Sequence, residues 1–128
     1  MTEELIRQSV ERYFSAISRQ DREAWVANFA ADAEMRDPAH APPLRGHDQL
    51  RAFFDGVAGL FSQIEIAPEQ IFICGDTAAV TWSWRGVGKN GRSASCAGID
   101  LFQIDGEGKI VSEKGYWDPA PFLAQITG

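Results

Sequence analysis

The chain has 128 residues, with 12 basic and 18 acidic side chains and a formal charge of −6. That length argues for one domain, residues 1–128, keeping roughly 6,700 Å² of surface accessible and needing no metal or disulfide to hold its core. The 45% apolar fraction, with 8 Phe and 4 Trp, excludes a disordered chain, and the acidic balance argues against nucleic acid or an anionic membrane as partner.

The N-terminus MTEELIRQSV reads as an acidic helix start, not a signal peptide, and no apolar run approaches a membrane span. Thr2 caps the first helix, and Glu3 and Glu4 sit at the positive end of its dipole. Ile6, Val10, Tyr13, Phe14 and Ile17 form its apolar stripe, ending near Arg19. Asp21 caps a shorter second helix, on which Trp25 and Phe29 share a face. A brief strand, Ala33 to Asp37, stops at Pro38. Three prolines within positions 38–43 then make a loop. A third helix covers about His47 to Phe61, with Leu50, Phe53, Phe54, Val57 and Leu60 inward.

From there the chain reads as strands. Ile64 and Ile66 alternate before Pro68, and Ile71 and Ile73 before a Gly75-Asp76 turn. Ala78 to Val87 sets Val80, Trp82 and Trp84 on one face. Asn90-Gly91 marks a tight hairpin, Arg92 to Ile104 is a long strand, and Asp105 to Gly108 turns it into Ile110 to Trp117. Three helices followed by an antiparallel meander make an α+β domain, and a long twisted sheet covered on one side curls into a cone around an apolar pocket. The tail, Ala120 to Ile126, is expected over the sheet or a partner subunit.

Three residues carry chemistry in this frame. Alternation puts Cys96, Gly98, Asp100, Phe102 and Ile104 on one strand face and Ala97, Ile99 and Leu101 on the other. Asp100 therefore lies in apolar surroundings. Desolvation there keeps a lone carboxyl protonated, able to donate a hydrogen bond to an oxyanion; the other reading pairs it with a buried Arg or with backbone amides. Tyr13 interrupts an apolar helix stripe, and its hydroxyl needs a partner, which a pocket or a single core bond supplies. Asp37, before Pro38, reads either as a turn opener or as a general base at the lip of a pocket.

These residues together resemble a family. Val10-Glu-Arg-Tyr13, then Phe29 to Asp37-Pro38, then Ala97-Gly-Ile-Asp100-Leu-Phe102, with Gly108 to Ser112 and Tyr116-Trp117, look like ketosteroid isomerase (steroid Δ-isomerase) of the nuclear-transport-factor-2-like (NTF2-like), SnoaL-like superfamily. The resemblance spans about residues 5–118. It implies a cone-shaped fold, with three N-terminal helices packed on a strongly curved, mostly antiparallel sheet. It also implies a homodimer and a cofactor-free proton shuttle on a steroid-like ketone. Asp37 matches the base, and Tyr13 and a protonated Asp100 match the two donors to the oxyanion, a role for a neutral carboxylic acid established in that enzyme class. Phe54, Trp84, Phe102 and Trp117 are expected to bind substrate. Phe54 and Trp84 stand where the family has tyrosines, so pocket shape and substrate can differ. The rival readings are a polyketide cyclase-like or hydrolase-like enzyme of the same fold, or a non-catalytic module binding an apolar metabolite. Epoxide hydrolases of this fold need an Arg between two acids, and no Arg here falls on an interior strand face.

His40 and His47 fit no compact ligand motif and are read as surface or capping residues, so no metal is expected. Cys74 and Cys96 suit a reducing compartment, hence a cytoplasmic protein without nucleic acid or membrane partners.

Overall fold

The computed structural model describes residues 2–127. In chain order it contains α1 (Glu3–Ser18), α2 (Arg22–Ala27), β1 (Phe29–Arg36), β2 (Leu44–Arg45), α3 (Gly46–Ala58), β3 (Phe61–Cys74), β4 (Thr77–Gly88), β5 (Ser93–Ile104), β6 (Ile110–Tyr116) and α4 (Pro119–Thr127). The strands form one sheet, ordered β2-β1-β6-β5-β4-β3. Every pairing is antiparallel except β1 with β6. The chain exposes 6663 Å², the area its length calls for. None of the described helices is long and apolar enough to cross a membrane.

Local signals account for most of these elements. The Thr2 hydroxyl accepts from Leu5 N, and the Asp21 carboxylate from Ala24 N, so both caps act as read from the sequence. The α1 stripe is buried from Ile6 to Ile17 against the curved sheet. On β4, Val80, Trp82 and Trp84 all point into the core. Gly91, at φ +84°, takes the left-handed position of the β4–β5 turn, where a side chain would be strained. The His47 imidazole meets the Phe29 carbonyl oxygen at 3.0 Å, tying the first turn of α3 to the start of β1.

Four details differ from the sequence reading. β1 starts at Phe29, four residues early, because its parallel pairing with β6 is a long-range contact without a local signature. α3 ends at Ala58, and Leu60, expected inward, is exposed because the chain has left the helix through Gly59. The two short runs around Pro68 are one strand. β3 lies at the sheet edge, where a residue without an N–H is tolerated, and its register shifts between Pro68 and Gln70. The tail is a helix, α4, begun by prolines that suit a first turn, and it buries Phe122 and Ile126.

Candidate active site

Tyr13, Asp37 and Asp100, which lie on α1, just past β1 and on β5, open onto one cavity inside the cone. Tyr13 is 3% exposed, with its ring edge-on to Phe14 and Phe102, each at 4.9 Å between centroids. Asp100, 2% exposed, is flanked by Val80 on β4 and Gly115 on β6. Asp37 continues the line of β1 past Arg36, where β1 runs beside Lys114 of β6. The Trp117 indole N–H donates to Asp37 Oδ1. Ala39 N donates to the Gly115 carbonyl at 2.6 Å, which fixes the chain on the far side of the carboxyl.

The cavity has about 540 Å³ of atom-free space, its open mouth included. Phe54, Trp84 and Trp117 line it, as do Trp25, Trp82 and Phe122, so the wall is almost wholly aromatic and aliphatic. Phe102 does not. It packs beneath the Tyr13 ring, so its placement corrects the expectation that it meets substrate: on β5 it lies one pleat deeper than Asp100. No arginine is among the cavity-lining residues, and neither His40 nor His47 reaches it.

The sequence reading missed Glu113. It is 1% exposed, on β6, whose inward face reads Glu113, Gly115, Trp117 while Lys114 and Tyr116 point out. Carrying the strand alternation from Trp117 back two pleats would have found it. One oxygen each of Asp37, Asp100 and Glu113 lies within 4.8 Å of the others. Glu113 does not line the cavity; it stands behind the other two.

Burial governs the ionisation of these groups. It pushes the Asp100 carboxyl well above the usual range, and the nearby Asp37 charge adds to the effect. Asp100 Oδ1 has no hydrogen-bond partner among the described residues, and neither a guanidinium nor a backbone amide reaches the group. The Trp82 indole and the Glu113 carboxyl work against the rise without reversing it. Glu113 is raised well above the usual range by burial and then by Asp37 and Asp100, and both its oxygens lack partners. Burial raises Asp37 as well, but the facing Glu113 carboxyl and the Trp117 N–H work against the rise, which is smaller than those of Asp100 and Glu113. The Tyr13 phenol is held well above its usual value by burial, then by the carboxyls, so it stays protonated; the Trp25 indole N–H beside it acts in the opposite direction. Burial lifts the half-buried Cys96 thiol on the wall to about 11, which leaves it unreactive as a nucleophile.

Three convergent carboxyls also have the spacing of a cation site. The donor set suits one poorly: beyond Tyr13 the surrounding rings offer no oxygen, and hard cations need six or more oxygen ligands or retained waters.

The inner face of this α+β cone carries a phenol and two carboxyls around an apolar cavity. Residues 10–113 match the SnoaL-like domain family, and the chain belongs to it. The chain is similar to a steroid Δ-isomerase of Nocardioides simplex, 25% identical over 119 residues, covering 92% of this chain and 94% of that one. Among solved structures, it superposes on the epoxide hydrolase/cyclase-like enzyme SalBIII, which acts in pyran ring formation in polyether salinomycin, with TM-score 0.82 and 23% identity over 91% of this chain and 92% of the other. It likewise matches RV0760c from Mycobacterium tuberculosis in complex with estradiol-17beta-hemisuccinate, TM-score 0.80 and 20% identity, over 92% and 96% of the two chains. These structures share the NTF2-like cone expected from the sequence.

Proposed function

We propose that the protein is a cofactor-independent isomerase that moves a carbon–carbon double bond of a Δ5-3-ketosteroid, or of a ketone of similar shape, by intramolecular proton transfer. One observation carries the reading. A carboxyl tied to an indole N–H (Asp37), a buried carboxyl with one unpartnered oxygen (Asp100) and a phenol (Tyr13) face the same apolar cavity. Similarity to a steroid Δ-isomerase, and to a protein solved with an estradiol derivative, supports a steroid-like ligand.

The chemistry follows from the ionisation states. Asp37, as carboxylate, removes the proton from the carbon between the carbonyl and the double bond. The electron pair left behind moves onto the carbonyl oxygen, and the resulting dienolate oxyanion accepts hydrogen bonds from Tyr13 and from neutral Asp100. Asp37 then returns the same proton to carbon 6, the oxygen becomes a carbonyl again, and a conjugated enone leaves. A positioned base is worth about 10²–10⁴-fold and each oxyanion donor about 3–4 kcal/mol, enough for a reaction without a cofactor. Phe54, Trp84 and Trp117 give the flat apolar skeleton its contact surface.

The same carboxyl pair would serve a cyclase-like or hydrolase-like reaction, and the likeness to SalBIII, an epoxide hydrolase/cyclase-like enzyme, favours that as the second reading. Absorbance on adding 5-androstene-3,17-dione separates the readings. A rise from the conjugated enone that vanishes in Asp37→Asn is expected. No rise with wild-type protein, or an unchanged rise in Asp37→Asn, would refute the isomerase, and tight binding without turnover would favour a binding module.

The family resemblance also implies a homodimer, and the convex sheet face suits one. Phe72, Leu101, Ile99 and Tyr116, between 38% and 61% exposed, lie there, aligned by the register pairs Ala79↔Leu101 and Ile99↔Tyr116. Two free thiols, one exposed, fit a reducing compartment such as the cytoplasm.

A further inference from the structure

Among the described residues, Glu113 is the one buried carboxyl that the proposed reaction does not use. The groups facing it are Asp37 at the end of β1, Asp100 on β5 and Tyr13 on α1, all of them acids, with no lysine or arginine among them. As a carboxylate it would be an acceptor only, with two orphan oxygens 99% buried beside two further carboxyls. As a carboxylic acid it gains a donor, and its nearest acceptors are the other two carboxyls, within 4.8 Å. Asp37 is the ionised one, and a hydrogen bond to a charged acceptor is the stronger.

We propose that Glu113 is a positioning residue of this site: it carries a proton at neutral pH and donates from behind the cavity wall to the Asp37 carboxylate, as the second donor beside Trp117 Nε1. The inference rests on the reading of Asp37 as the base. It explains how a carboxylate persists beside an apolar cavity with no cation near, while Asp100 stays neutral. Glu113 never meets substrate; it acts through Asp37.

The test is a carbon-13 NMR titration of aspartate carboxyls in the substrate-free protein, with the Asp37 signal assigned by its loss in Asp37→Asn. Glu113→Gln keeps a donor without an ionisable proton and is expected to leave the Asp37 midpoint nearly unmoved. Glu113→Leu removes the donor and is expected to raise the midpoint by about one to two pH units. Should the leucine variant fail to fold, Glu113→Met takes its place. A midpoint lowered in both the Gln and the apolar variant would mean that Glu113 is an anion, and one unmoved in both would mean that it does not touch Asp37; either overturns the proposal. So would a wild-type Asp37 signal displaced by added magnesium or calcium ions, which would give the three carboxyls to a cation. Because the readout needs no turnover, an inactive protein with the expected shifts refutes the isomerase alone, while an active one with unmoved midpoints refutes the Glu113 assignment alone.

Discussion

The Asp37 carboxyl lies directly over the Cα of Gly115. A methyl group at position 115 would come within 2.5 Å of Asp37 Cγ and within 2.5 and 2.6 Å of its two oxygens. The missing side chain on β6 is therefore what lets the carboxyl lie flat against the sheet, with one oxygen on the Trp117 N–H. Gly115→Ala is expected to push the base out of line while β6 keeps its pairing. Misplacement on the scale of 1 Å costs about 10²-fold, so kcat/KM should fall by that order while the thermal midpoint moves little. Steady-state kinetics and a melting curve on the same preparation check both halves.

At the other end of the cavity, Asp100 and Tyr13 are assigned the same task, and their variants should grade by what donor remains. Asp100→Asn retains an N–H donor and is expected to keep more activity than Asp100→Leu, which should lose on the order of 10²–10³-fold in kcat, as should Tyr13→Phe. The loss should fall on kcat more than on KM, since the oxyanion exists only as the reaction proceeds. Equal activity in Asp100→Asn and Asp100→Leu would remove Asp100 from the oxyanion's partners.

Three carboxyls with raised pKa values, Asp100 and Glu113 buried and Asp37 half-buried, also make stability depend on pH in a direction opposite to the common salt-bridged case. Between the unfolded carboxylate range and the higher folded values of Asp37, Asp100 and Glu113, the folded state binds more protons than the unfolded one. The stability these protons supply is complete below the unfolded range and is lost as pH rises through the folded values, at about 1.4 kcal/mol per pH unit for each proton kept. Thermal midpoints should therefore decline from mildly acidic to alkaline pH. Asp100→Asn and Glu113→Gln, which cannot ionise, should each flatten the decline and melt higher than wild type at alkaline pH.

Much of this site was legible because its signals are local. Alternation on β5 was enough to place Asp100 inside, and the 3.6-residue stripe of α1 carried Tyr13 with it. Glu113 escaped because the inward face of β6 runs Glu-Gly-Trp: the glycine marks no face, and an acid beside exposed Lys114 reads as surface. The role of Gly115 could not be read at all, since it depends on Asp37 arriving from β1 through the parallel pairing, some eighty residues away in sequence. Phe102 fails as a cavity residue for a related reason. Strand parity gives the face but not the depth along the cone, and Phe102 falls behind the Tyr13 ring.

At the centre of the account is a pair of carboxyls in one cavity held in opposite ionisation states. Infrared difference spectra at neutral pH test this directly. Wild type minus Asp100→Asn should contain the carbonyl band of a protonated carboxylic acid, and wild type minus Asp37→Asn the paired bands of a carboxylate. A carboxylate signature in the Asp100 difference, or a protonated acid in that of Asp37, would contradict it.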